Sequence, residues 1–248
     1  MAKNTNSNAY ILIYSTVMVV LVAALLSVVS LSLQDRQYAN QLNEKKQSIL
    51  ASLNATDQNY DEFITAYAID KEGNKIEGDV FELLKDLKSA FANGQFPVFE
   101  AKDGRLVLPL TGTGLWGPIW GYISLNSDMN TVGGIIMDHQ GETPGLGAEI
   151  ATAKYQAKFV GKEIFKDNEF VSVLLRKGGA DKNNLQHEVD AITGGTKTSE
   201  GVTNMLRESI ANYLPLIEAR RQAAAAAAPV AEEVAEEVSN AENVENHE

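Results

Sequence analysis

A phosphate can be held where a hydroxyl sits on a glycine turn ahead of a helix, and one run here has that form: Asp190-Ala191-Ile192-Thr193-Gly194-Gly195-Thr196-Lys197-Thr198-Ser199. Val202, Met205, Leu206, Ile210 and Tyr213 follow at spacings of three and four, which makes one apolar face of an amphipathic helix. Thr198 or Ser199 is the natural N-cap, with an oxygen to accept the N–H groups that the first turn leaves unbonded. The Thr196 hydroxyl would then stand near the positive end of a helix dipole, where an anion is stabilised. Taken alone, the run reads as a glycine turn and a helix cap with no ligand.

Two further stretches combine glycine with groups that suit a flat heterocycle. In Thr111-Gly-Thr-Gly-Leu-Trp-Gly-Pro-Ile-Trp-Gly121, four glycines surround Trp116 and Trp120, the only tryptophans. Glycine lets a backbone approach a planar partner closely, and a large aromatic can pack against one. In His139-Gln-Gly-Glu-Thr-Pro-Gly-Leu-Gly147 a turn opens onto a helix, and its free N–H groups could bond a polar ring edge or an anion. The plain alternatives are a β-turn with core tryptophans for the first and a loop with a helix cap for the second. Glu142 reads equally as a solvated loop acid.

Other chemistries are excluded by what the chain lacks. It has no cysteine, so disulfides, thiolate nucleophiles and Cys-ligated clusters are out. Only His139, His187 and His247 are histidines, too few for a His-rich metal site, and no metal is expected. No glycine fingerprint for a nicotinamide dinucleotide is present, and no nucleophile or general acid stands out. Net charge is −12, and more than half of it lies in the seven glutamates after residue 230. The remaining body is mildly acidic, which argues against nucleic acid as a partner.

The elements that must position these groups begin with Tyr10 to Leu33, which contains no charged residue. As a helix it would reach about 36 Å, enough to cross a hydrocarbon core of ~30 Å. A cleaved signal peptide would be shorter with a more basic start. The flanking charges nearly cancel and do not orient the span. The spacing predicts a juxtamembrane helix over 34–53 and another over Val80 to Phe91. Strands are expected at Tyr67, Val98-Phe99, Leu106–Leu108, Ile119–Leu125, Val132–Met137, Ala157–Phe165 and Phe170–Leu175, with a helix over Leu146 to Tyr155. The domain plan is a short N-terminus (1–9), a transmembrane helix (10–33), a juxtamembrane helix (34–53), a mixed α+β domain (54–218) and an Ala/Glu-rich disordered tail (219–248).

Taken together, the motifs resemble one family. Gly114-Leu-Trp-Gly-Pro-Ile-Trp-Gly121, Glu142-Thr-Pro-Gly-Leu-Gly147 and Thr193-Gly-Gly-Thr-Lys-Thr-Ser199 are similar in order and spacing to the C subunit of the bacterial Na⁺-translocating NADH:quinone reductase. The resemblance covers the anchor and its following helix, then residues 96–213. It implies an FMN-binding domain whose FMN is joined by a phosphoester to Thr196, the last residue of a Ser/Thr-Gly-Ala-Thr motif. Thr193, Gly194, Gly195 and Thr198 complete the motif, and Gly195 departs from the family's usual alanine. It further implies a separate Mg²⁺-dependent flavin transferase that makes the bond from FAD and recognises Asp190. Leu115, Trp116 and Gly117, with Glu142, Thr143, Pro144, Gly145, Leu146 and Gly147, would line the flavin, and N–H groups of 145–147 would favour its reduced, more negative form. The implied role is electron relay from an iron–sulfur centre in neighbouring membrane subunits to another covalent FMN, in a Na⁺-pumping translocase whose NADH site lies elsewhere. The flavin domain would face the periplasm from a bacterial inner membrane. Two alternatives stay open: the G subunit of the related ion-translocating ferredoxin:NAD⁺ reductase, and a membrane-tethered structural domain without flavin.

Overall fold

The computed structural model describes residues 7–224 and 226. The chain divides after Lys45 into two units. One helix, α1 (Asn8–Ser52), runs through that division without a break. It holds neither glycine nor proline, and three of its hydroxyls turn inward: Ser15, Ser27 and Ser32 donate to the carbonyls of Leu12, Ala23 and Val29 at 3.1, 2.8 and 2.8 Å. An apolar helix that satisfies its own polar groups is what a hydrocarbon core demands. Its length and mean hydropathy are sufficient to cross a membrane.

The second unit is built on a six-stranded antiparallel sheet. Its strands are β1 (Ile64–Ile69), β2 (Lys75–Ile76), β3 (Phe96–Ala101), β4 (Leu106–Thr113), β5 (Pro118–Leu125) and β6 (Val132–His139), in the order β2-β1-β3-β4-β5-β6. Both faces are covered, so the strands read as apolar runs rather than clean alternation. Leu106, Leu108 and Leu110 point to one core, which they share with Ile119, Ile123, Val202, Met205 and Leu206. Val107, one position out of step, joins Phe99 and Tyr122 in the other, under Ile49, Leu50 and Leu53 from the end of α1. That helix end is tied down: the Ser124 hydroxyl donates to the Ser52 carbonyl at 2.5 Å, and Arg105 donates to Leu53 O at 2.6 Å. Gly134 is required there, because a Cβ would run into the Ser52 carbonyl.

Several expected elements differ in detail. After a single turn, α2 (Tyr60–Phe63), the helix expected over Val80 to Phe91 is two short ones, α3 (Val80–Leu83) and α4 (Leu87–Ala92). Asp79 and Asp86 each cap one of them and so restart the chain. Leu146 to Tyr155 is a 3-10 turn (Gly147–Ala151) followed by α5 (Ala153–Gln156), capped by Thr152. Ala157–Phe165 is not a strand; it begins as a 3-10 turn (Ala157–Phe159), and only Phe165 enters β7 (Phe165–Lys166), paired with β8 (Glu169–Phe170). Phe170–Leu175 is broken at Ser172, whose φ of 62° no strand allows, before β9 (Leu174–Arg176). β9 runs parallel to β10 (Glu188–Asp190), which leads into α6 (Thr196–Ala211).

The final helical stretch, 214–224, passes the expected boundary at 218. Arg220 grips Glu100 of β3 through both guanidinium nitrogens at 2.7 Å, and Tyr67 donates to the same carboxylate at 3.0 Å. The Ala/Glu tail beyond 226 and the first six residues lie outside the described residues.

Candidate functional site

The three glycine stretches meet at the N-terminus of α6. Gly195 occupies the cap position and supplies no side chain, so Thr196 is the first helical residue. This corrects the expected cap at Thr198 or Ser199; both lie inside the first turn and are buried. Ser199 instead turns back, accepting from Ile192 N at 3.0 Å and donating to Gly195 O at 2.9 Å, and so clasps the turn before the helix. The first intrahelical acceptance is Ser199 N to Gly195 O at 2.9 Å. Among the described residues nothing accepts from the N–H groups of Thr196, Lys197 or Thr198, and the Thr196 hydroxyl, half-buried, has no partner. Three free donors, a dipole and an alcohol thus converge.

Glu142 joins the stretches. Far from being a solvated loop acid, it is 5 % exposed. Its Oε2 accepts from the Thr198 hydroxyl at 2.5 Å and its Oε1 from the Trp116 N–H at 2.9 Å. Its own N–H donates to His139 Nδ1 at 3.1 Å. The carboxylate sits in a cradle that only glycine permits. A Cβ on Gly114 would meet Oε1, and one on Gly147 would meet both Oε2 and the Thr198 oxygen.

Around this link lie the groups expected to line a ring. Gly114 N donates to Gly117 O at 2.8 Å and closes the β4–β5 loop, leaving Leu115 and Trp116 at its tip, 53 % and 68 % exposed. Leu146, 41 % exposed, approaches Gly194, whose φ of 76° and lack of Cβ let the loops meet. Thr143, Pro144 and Gly145 are exposed on the same loop. Of the N–H groups expected to serve a ligand, that of Leu146 is taken by Thr143 O at 3.1 Å, whereas those of Gly145 and Gly147 have no acceptor among the described residues.

Thr193 is exposed on the turn. Asp190 is not drawn into the cluster. Its carboxylate accepts from Ala180 N at 2.9 Å and lies 3.9 Å from Lys158 Nζ, while its carbonyl accepts from the Tyr155 hydroxyl at 3.0 Å. Among the described residues no group of three or more His, Asp or Glu could hold a metal.

Residues 114–211 match the family model of the FMN-binding domain. The C subunit of the Na⁺-translocating NADH-quinone reductase of Vibrio anguillarum is 30 % identical over 230 residues, spanning 82 % of this chain and 90 % of the relative. Its counterpart from Pseudomonas aeruginosa is 30 % identical over 231 residues, with 77 % and 88 % covered. The crystal structure of the Parabacteroides distasonis counterpart superposes with a TM-score of 0.69 at 43 % identity, over 75 % of this chain and 96 % of that one. NqrC from Shewanella oneidensis, at 24 % identity and a TM-score of 0.62, shares the fold. The site therefore lies in an FMN-binding domain. The chain belongs to the NqrC family, the C subunits of the Na⁺-translocating NADH-quinone reductases.

The residues present fit such a group. A free helix N-terminus with an alcohol suits a phosphate, and the exposed Leu115, Trp116 and Leu146 beside it suit an aromatic ring. Ser199 is the participant that the sequence does not reveal: its hydroxyl has the look of a cap and acts instead as a clasp on the turn.

Proposed function

We propose that this chain is the FMN-bearing member of a Na⁺-translocating NADH–quinone reductase complex, with the flavin esterified through its phosphate to Thr196, and that it relays electrons within the complex. The observation that carries the reading is the unpartnered Thr196 hydroxyl at the first position of an uncapped sixteen-residue helix. The N–H groups of 196–198 would bind the phosphate oxygens, and the helix dipole would stabilise their charge. Trp116, Leu115 and Leu146 would bound the ring, and Gly145 and Gly147 retain N–H groups for its polar edge. When bound, the flavin supplies one-electron chemistry, receiving from an iron–sulfur centre and delivering to another covalent FMN.

Attachment falls to a separate flavin transferase that reads Asp190, and the exposure of Asp190, Thr193 and Gly194 is compatible with access by such an enzyme. Gly195 replaces the family's alanine next to the tether. A Cβ there would come within 2.9 Å of the Ile192 γ-methyl, so the smaller residue suits this particular turn. The apolar part of α1 would anchor the chain in a bacterial inner membrane among its partner subunits, with the flavin domain on the periplasmic side.

Denaturing electrophoresis after co-expression with a flavin transferase tests the tether. A fluorescent band is expected for the wild type and none for Thr196→Ala; a band that persists in the variant refutes the assignment.

A further inference from the structure

Glu142 stands among residues expected to line the cofactor, yet it is buried and each of its oxygens already has a donor. Both are engaged by the protein itself, one on each side of the site: the Trp116 N–H at 2.9 Å and the Thr198 hydroxyl at 2.5 Å. The two donors come from different elements far apart in sequence, the β4–β5 loop and the first turn of α6. The loop has little else to hold it. Gly114 N to Gly117 O is its one internal backbone bond among the described residues, and its tip residues Leu115 and Trp116 are exposed. Meanwhile the carboxylate that spans the gap is buried, held by glycines on both sides. A buried ionic acceptor with two donors is strong and directional, and losing either donor leaves the charge short of a bond.

We propose that Glu142 is a positioning residue: through Thr198 it locks the Trp116 loop to the helix that bears Thr196, so that the wall for the ring is set before any cofactor arrives. The role rests on the reading of Thr196 as the tether, but the lock itself belongs to the flavin-free chain. Glu142 contributes no hydrogen bond to the ligand. Its job is to fix the distance between the aromatic wall and the phosphate end of the site.

The test uses the full chain in detergent, produced without flavin transferase, and follows amide hydrogen exchange at 114–117. Thr198→Val, which keeps the shape and removes the donor, and Glu142→Ala should each speed exchange of the Trp116 amide about tenfold or more. Thr198→Ser should restore the wild-type rate, and amides in the middle of β4 should stay protected in all three. Unchanged Trp116 exchange in both Thr198→Val and Glu142→Ala, with β4 still protected, would overturn the proposal. If Glu142→Ala loses β4 protection, Thr198→Val against Thr198→Ser decides alone. In parallel, chains co-expressed with the transferase are compared for flavin absorption maximum and midpoint potential, where Thr198→Val should shift both and Thr198→Ser neither. Failure of even the wild type to acquire flavin would count against the tether and leave the exchange result standing.

Discussion

Two glycines two positions apart, Gly145 and Gly147, should respond to alanine for different reasons and by different amounts. At Gly147 a Cβ would fall on the Glu142 carboxylate and the Thr198 hydroxyl, so the bond between them cannot survive. A hydrogen bond to a buried charge contributes about 1.5–3 kcal/mol, and the displaced carboxylate must also find new partners, so the loss should be about 2–4 kcal/mol. At Gly145 there is open space, with nothing within 4 Å, and the cost is the left-handed backbone alone, φ 74°. That strain is about 1 kcal/mol. For a domain of this size each kcal/mol lowers the melting temperature by about 2–4 °C, so Gly147→Ala should melt about 5–15 °C below wild type and Gly145→Ala only about 2–4 °C below. Thermal unfolding of the flavin-free chain, followed by circular dichroism, measures both. Equal losses, or Gly147→Ala within about 2 °C of wild type, would show that the carboxylate does not occupy the glycine cradle.

The other expectations are narrower. Ser199→Ala should leave Ile192 N without its partner and Gly195 O with the Ser199 backbone N–H alone, cost about 1–2 kcal/mol in denaturant unfolding, and reduce the yield of flavin attachment because the turn before Thr196 loosens. Donation by the Arg220 guanidinium holds the Glu100 carboxyl below its ordinary value, against the opposing effect of its partial burial. A depressed folded-state value stabilises above the unfolded carboxyl range of about 4.3 and is lost as pH falls through the folded value. Wild type should therefore lose more stability between about pH 5 and 3 than Arg220→Ala, which denaturant titrations at both ends will read. Burial, then the neighbouring Glu100, pushes the Tyr67 phenol up to about 12. Glu100→Gln should bring that value down, visible in the ultraviolet difference titration against a Tyr67→Phe control.

Much of the scaffold is legible in the sequence because it rests on periodicity and length. The uncharged span, the strands at 98–99, 106–108, 119–125 and 132–137, and the apolar face of α6 all follow from spacing. The departures have local causes. Asp79 and Asp86 are both caps, and the second is hidden inside an apolar pattern that otherwise continues. Ala157 to Phe165 has apolar residues at both ends that suit a strand, but Gly161 takes a φ of 77° and turns the chain instead. The site itself is legible as three glycine runs, each of which breaks a regular element. Their union is not, since a lone glutamate in a loop carries no spacing signal; only the fold reveals that Trp116, Glu142 and Thr198 share one carboxylate. The cap of α6 escapes sequence reasoning for a related cause. Hydroxyls at 198 and 199 look like caps, yet the glycine before Thr196 takes that position and leaves the helix end open.

The most direct test is intact-mass spectrometry of the chain made together with its flavin transferase, with peptide mapping of the modified fragment. The account predicts a mass increased by one FMN less water, located on Thr196. A chain at the bare polypeptide mass, or a flavin carried on any other residue, would contradict it.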